Sequence, residues 1–126
     1  MNKVVHFEIP TDDIKRAQAF YTDVFGWQIN EIPEMKYTIV VTGPTDEQQM
    51  AKEVGFINGG MMERKDEFQH PIITIDVDDI EEASKKITEK GGKIVLTKME
   101  VGDMGYAAYF RDSEGNMIGL WENKKK

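Results

Sequence analysis

The chain contains no cysteine, so it can build no disulfide framework, no Cys-ligated zinc or iron–sulfur centre and no thiol nucleophile. It also lacks a surplus of positive charge. Sixteen Lys and Arg stand against 23 Asp and Glu, for a net charge of −7, and without the terminal Lys124, Lys125 and Lys126 the remainder carries −10. That balance excludes nucleic acid and an anionic membrane surface as the main partner. No apolar run approaches the roughly 18 residues of a membrane-spanning helix, and the N-terminus lacks the charged-then-apolar layout of a signal peptide, so a cytoplasmic chain is expected. A Gly-rich phosphate loop, a Ser-His-Asp arrangement and a nucleotide-binding fingerprint are missing as well. What is present is a length of 126 residues, which fits a single domain, 1–126, able to bury roughly two thirds of its open-chain surface.

Inside that domain the chain repeats itself. Residues 4–29 and 72–95 each begin with a short alternating β-rich run, pass through Asp-Asp-Ile, continue with helical periodicity and end at a glycine before another β-rich run. Ile14 matches Ile80, Ala17 matches Ala83 and Gly26 matches Gly92. In the preceding strand Pro10 and Thr11 have no counterpart, so His6 aligns with Thr74 and Glu8 with Asp76. In the first helix Ile14, Ala17, Phe20, Tyr21, Val24 and Phe25 recur at spacings of three and four and predict one apolar stripe. Asp12 or Asp13 can cap its start and Gly26 its end; Asp78 or Asp79, and Gly91-Gly92, do the same for the second helix. Strands are predicted near 27–32, 36–42, 55–61, 93–98, 105–111 and 117–122, with 43–54 a loop. The result is two β-α-β-β-β modules, about 1–61 and 71–123, joined by a connector over 62–70 that carries His70.

Strand alternation divides the first strand of each module into two faces. Val5, Phe7 and Ile9, like Ile73, Ile75 and Val77, suit the face a helix covers. His6 and Glu8, and Thr74 and Asp76, fall on the other, concave side. Periodicity alone leaves the face of Glu122 open, because both alternating sets of the last strand contain apolar residues. Tyr37, Tyr106, Tyr109 and Trp27 are aromatic candidates for a pocket lining or for packing. Met61, Met62, Met104 and Met117 suit either an adaptable pocket or the core, and Gly59-Gly60 suits either close ligand approach or a bulge.

The tandem plan, with His6-Phe-Glu-Ile, Phe20-Tyr21 before Phe25-Gly26-Trp27, Gly91-Gly92-Lys93 and the stretch from Tyr109 to Glu122, resembles the vicinal oxygen chelate superfamily, and most of all its lactoylglutathione lyase-related branch. The resemblance spans essentially the whole chain. It implies an α+β, glyoxalase-like fold of tandem βαβββ modules forming curved half-barrel sheets, and a homodimer, with modules paired within a chain or swapped between chains. It also implies a metal-assisted lyase or isomerase acting on a small molecule. The family draws metal ligands from the concave faces, which places His6 and Glu122 as ligands of zinc, nickel, manganese or iron, and Glu122 as the catalytic carboxylate. Tyr37, Tyr106, Thr74 and Glu8 would contact the substrate. Thr74 falls where a second histidine is expected, and a hydroxyl is a poor partner for such metals. Two ligands are also fewer than the three that catalytic sites usually hold. A metal-free protein that binds or sequesters a small molecule, as bleomycin-resistance proteins do, is the alternative reading.

Overall fold

The computed structural model describes residues 1–47 and 53–124, so part of the predicted loop 43–54 lies outside the described residues. Among the described residues, eight strands and two α-helices follow in the order β1 (Val4–Thr11), α1 (Ile14–Phe25), β2 (Gln28–Ile32), a 3-10 turn (Pro33–Met35), β3 (Tyr37–Val41), β4 (Asn58–Glu63), β5 (Ile72–Asp76), α2 (Ile80–Glu89), β6 (Lys93–Val101), β7 (Gly105–Arg111) and β8 (Met117–Asn123). This is an α+β protein. It divides into two compact units, His6–Pro71 and Ile72–Lys126 together with Met1–Val5. In the first unit the strand order is β2-β3-β4-β1, and in the second β5-β8-β7-β6. The first and last strands of each module pair in parallel, β1 with β4 and β5 with β8, while the other neighbours are antiparallel. Both units therefore have one topology, as expected of a duplicated sequence.

The helix ends follow from their capping residues. Asp13 accepts from the backbone N–H of Arg16 at 3.1 Å, and Gly26, at φ +74°, closes α1 with its N–H on the Thr22 carbonyl. Asp79 accepts from the Glu82 N–H in the same way, starting α2. The predicted stripe of α1 is only partly buried: Phe20, Val24 and Phe25 are more than half exposed, and the side chain that α1 does bury is Gln18. Gln18 sits four residues after Ile14 and three before Tyr21, on the line of the stripe, and its amide donates to the buried Thr38 hydroxyl at 3.1 Å. Hydropathy periodicity passes over such a position, because a polar side chain is buried at low cost only when its partner, here from β3, is present. The aromatics of the stripe stack among themselves, with Tyr21 flat against Trp27 at 4.9 Å.

Strand limits shift where the backbone dictates. β4 starts at Asn58, not 55, since Gly55 has φ +105° and leaves the extended region. β6 continues to Val101 because two register shifts against β7, after Ile94 and after Leu96, let the ladder resume. In the second unit Ile80, Ala108, Phe110 and Leu120 form the buried core, with Ile75, Val77, Ala83, Ile87, Tyr106 and Ile118 packed around it. In the first unit Met61 and Val40 are fully buried on the α1 side of the sheet, so Met61 is a core residue, whereas Met104 is exposed.

Candidate functional site

On the face of the first unit that α1 does not cover, cross-strand pairing sets His6 beside Asn58, and Glu8 beside Gly60, which in turn pairs with Ile39. Tyr37 reaches this face from the start of β3. Pro33 opens the 3-10 turn before it, and Lys36, at φ +51°, closes that turn with its N–H on the Pro33 carbonyl at 3.1 Å, so β3 begins at Tyr37. The Tyr37 ring then crosses β4 directly over Gly60. A Cβ at Gly60 would lie 1.9 Å from the Tyr37 hydroxyl oxygen, so only glycine leaves the ring its place. Gly59 similarly admits the Phe7 ring on the other side. The close approach suggested by Gly59-Gly60 is thus made by the protein's own aromatic side chains.

The Tyr37 hydroxyl joins two titratable side chains. It donates to Glu8 Oε2 at 2.8 Å and lies 2.8 Å from His6 Nε2. Because a phenol has one proton and Glu8 receives it, the His6 contact assigns hydrogen to Nε2 and leaves the lone pair on Nδ1. Glu8 is 5 % exposed and His6 is mostly buried. Burial pushes the His6 pKa down to about 4, so the imidazole is neutral at physiological pH. A carboxylate, a phenol and a neutral imidazole therefore form one hydrogen-bonded chain.

The second unit carries the same scaffold with other side chains. Thr74, buried and paired with Gly119, stands where the first unit has His6 paired with Asn58. Register makes Gly105 the counterpart of Tyr37, and Trp121 the counterpart of Gly60. Trp121 lies across Gly105, where a Cβ would come within 2.6 Å of its ring. An aromatic over a glycine recurs with the two strands exchanged, and in the second unit the aromatic presents no hydroxyl. Tyr106 packs against the α2 core with Lys98 over its ring at 4.3 Å, on the face opposite Thr74.

Glu122 also lies on the α2 side, two residues beyond the core residue Leu120. Its Oε1 accepts from the Ile80 N–H at 2.8 Å, satisfying a free donor of the first turn of α2, and its Oε2 takes Lys98 at 3.2 Å. Removing these bonds in Glu122→Ala is expected to cost about 2 kcal/mol of stability by urea denaturation. Glu122→Gln, which keeps an amide oxygen for Ile80, should recover more than half of the loss. An equal loss in both variants would refute the capping role.

These contacts decide how the residues suit a metal. His6 Nε2 is held by Tyr37, both oxygens of Glu122 are engaged within the second unit, and the positions paired with His6 and Thr74 are an amide and a glycine. Among the described residues no group of three His, Cys, Asp or Glu side chains is arranged to hold an ion. The donor set does not fit a divalent metal site. A groove of about 330 Å³ lies between the start of α1 and the β2–β3 edge, with Thr11, Gln18, Thr38, Lys36 and Tyr37 in its wall. His6 and Glu8 do not line it.

Comparison with known proteins agrees with the topology. The bleomycin resistance protein-like N-terminal family matches residues 3–43, the stretch that carries His6, Glu8 and Tyr37. The chain is 32% identical to a probable lactoylglutathione lyase of Vibrio parahaemolyticus, covering 98% of this chain and 92% of that one. It is 29% identical to the lactoylglutathione lyase of Salmonella typhimurium, over 97% and 93% of the two chains. Among solved structures, methylmalonyl-CoA epimerase from Mycobacterium tuberculosis superposes with a TM-score of 0.66 at 16% identity, covering 97% of this chain and 88% of that one. A glyoxalase/bleomycin resistance protein/dioxygenase superfamily member from Vibrio splendidus does so with 0.62 at 17% identity, covering 98% and 100%. With its duplicated β-α-β-β-β units and lactoylglutathione lyase relatives matched almost end to end, the chain belongs to the vicinal oxygen chelate superfamily of glyoxalases, bleomycin-resistance proteins and dioxygenases.

Proposed function

We propose that this chain is a glyoxalase-like enzyme that moves a proton on a small carbonyl compound, with His6, Tyr37 and Glu8 as the acid–base group. The observation that carries the reading is the hydrogen-bonded chain itself, with two contacts of 2.8 Å ending on a buried carboxylate. A hydrogen on carbon beside a carbonyl leaves as a proton to His6 Nδ1, and the C–H electron pair passes to the carbonyl oxygen as an enolate. The Nε2 proton shifts to the Tyr37 oxygen, and the Tyr37 proton to Glu8 Oε2. The charge ends on neither ring, which suits an imidazole that burial keeps neutral. Running the relay backwards returns a proton to the same or the adjacent carbon, giving an epimer or an isomer. Relatives named as a lyase and an epimerase are consistent with this class of step.

The test is solvent exchange. The protein is incubated in D2O with a panel of thiol adducts of 2-oxoaldehydes and branched acyl thioesters, and deuterium uptake at carbon is followed by NMR. Wild type should exchange at least one of them, and Glu8→Gln should slow that exchange about a hundredfold or more. Equal exchange by wild type and Glu8→Gln would remove Glu8 from the chemistry. A second reading is supported by the bleomycin resistance protein-like match over residues 3–43, namely a protein that binds a small molecule without turning it over. Saturable binding across the panel with no exchange would select it.

A further inference from the structure

We infer that the Tyr37 hydroxyl takes the place of a metal ion beside His6, so that the proton chemistry of this chain runs without one. This rests on the reading of His6, Tyr37 and Glu8 as the reacting group. A metal bound at Nε2 needs a bond of about 2.0–2.1 Å along the line that the hydroxyl, at 2.8 Å, now occupies. The hydroxyl is held there from three directions. It donates to Glu8, its ring lies over Gly60 where no side chain intervenes, and the left-handed turn at Lys36 sets the start of β3. Glu8 Oε2, on the same face, accepts from the same hydroxyl, so an ion held between Nε2 and Oε2 would have to detach both from one phenol. The second unit supplies no imidazole and no phenol in these places, since Thr74, Gly105 and Gly119 stand at the counterpart positions of His6, Tyr37 and Asn58, with Asp76 at that of Glu8.

The substitution changes the chemistry offered. A metal would supply positive charge to a substrate oxygen, whereas a phenol bonded to an imidazole supplies a path for one proton. The imidazole also keeps a lone pair on Nδ1, an acceptor.

The experiment is ¹⁵N NMR of uniformly labelled protein, with the exposed His70 as internal reference. In wild type the His6 spectrum should report hydrogen on Nε2 and none on Nδ1. Stoichiometric zinc, nickel or manganese should leave both resonances in place. Tyr37→Phe, which keeps the ring and deletes the hydroxyl, should speed exchange of the Nε2 hydrogen with solvent at least tenfold. A wild-type His6 resonance that shifts or broadens at one equivalent of metal while His70 does not, or a hydrogen found on Nδ1, would overturn the inference. None of these readings uses turnover. A protein that fails the deuterium-exchange assay yet shows this tautomer and no response to metal has lost the proposed reaction and kept the Tyr37 arrangement.

Discussion

Gly60→Ala should destabilise the folded chain by about 3 kcal/mol and break the His6–Tyr37–Glu8 chain in one step. The added methyl would sit 1.9 Å from the Tyr37 oxygen and 2.1 Å from the ring carbon that bears it, far inside contact distance. Since β4 is held on both sides by β1 and β3, the strand cannot retreat, and the ring must swing away. Overpacking of this kind costs about 1–3 kcal/mol. The His6 and Glu8 groups left without the phenol add a penalty of similar size, because desolvated polar groups are expensive without partners. Urea denaturation gives the stability and deuterium exchange gives the function. The control is Gly105→Ala, whose methyl would meet Trp121 and the Glu122 carbonyl in the second unit. It should lose comparable stability while leaving the His6 tautomer as in wild type. A Gly60→Ala protein with native stability would show that Tyr37 does not rest on this strand.

The second large effect is on pH. Folding lowers the His6 pKa from 6.5 to about 4 through burial, so between those values the unfolded chain binds a proton that the folded one refuses. The stability contributed by the neutral imidazole is complete above about pH 6.5 and is lost as pH falls towards 4. At 1.36 kcal/mol per unit, the loss on going from pH 7 to pH 4 is about 3 kcal/mol. Carboxylates contribute to the same acid limb, so the measurement is the difference between wild type and His6→Gln, which cannot titrate. That difference should shrink by about 3 kcal/mol over the interval in urea titrations at stepped pH. A difference that stays constant would show that His6 is as solvated folded as unfolded. Exchange activity should persist through neutral pH and fall with the folded-state pKa of His6, near 4, because a protonated Nδ1 cannot accept.

Both predictions depend on residues whose importance is unequally visible in the sequence. His6 and Glu8 were legible from strand alternation, because a short run with Val5, Phe7 and Ile9 on one side must put them together on the other. The duplication was legible too, and it aligned Thr74 with His6. Glu122 was not. Its two alternating sets are both apolar, and only the Ile80 N–H and Lys98 identify the face it occupies. Tyr106 was equally ambiguous as a lone aromatic, and its packing against the buried cluster of the second unit decides its place. Gln18 escaped detection because burial of an amide depends on a hydroxyl twenty residues away.

What the sequence determined by itself is everything set by local period and by repetition: the α+β class, the repeated β-α-β-β-β order, helix starts at Asp13 and Asp79, the end of α1 at Gly26, and the lack of a cysteine side chain. These follow from interactions within a few residues, or from comparing the chain with itself. Which polar groups meet was decided by the tertiary structure alone. Tyr37 reaches Glu8 from 29 residues away across a glycine of a third strand, and nothing in the spacing of those three residues encodes a shared proton. Cross-strand register is a long-range property fixed by packing, and a side chain's hydrogen-bond partner is chosen by register. The Tyr37 phenol stands beside His6 Nε2 for that reason: in this sheet the position next to its ring belongs to β3.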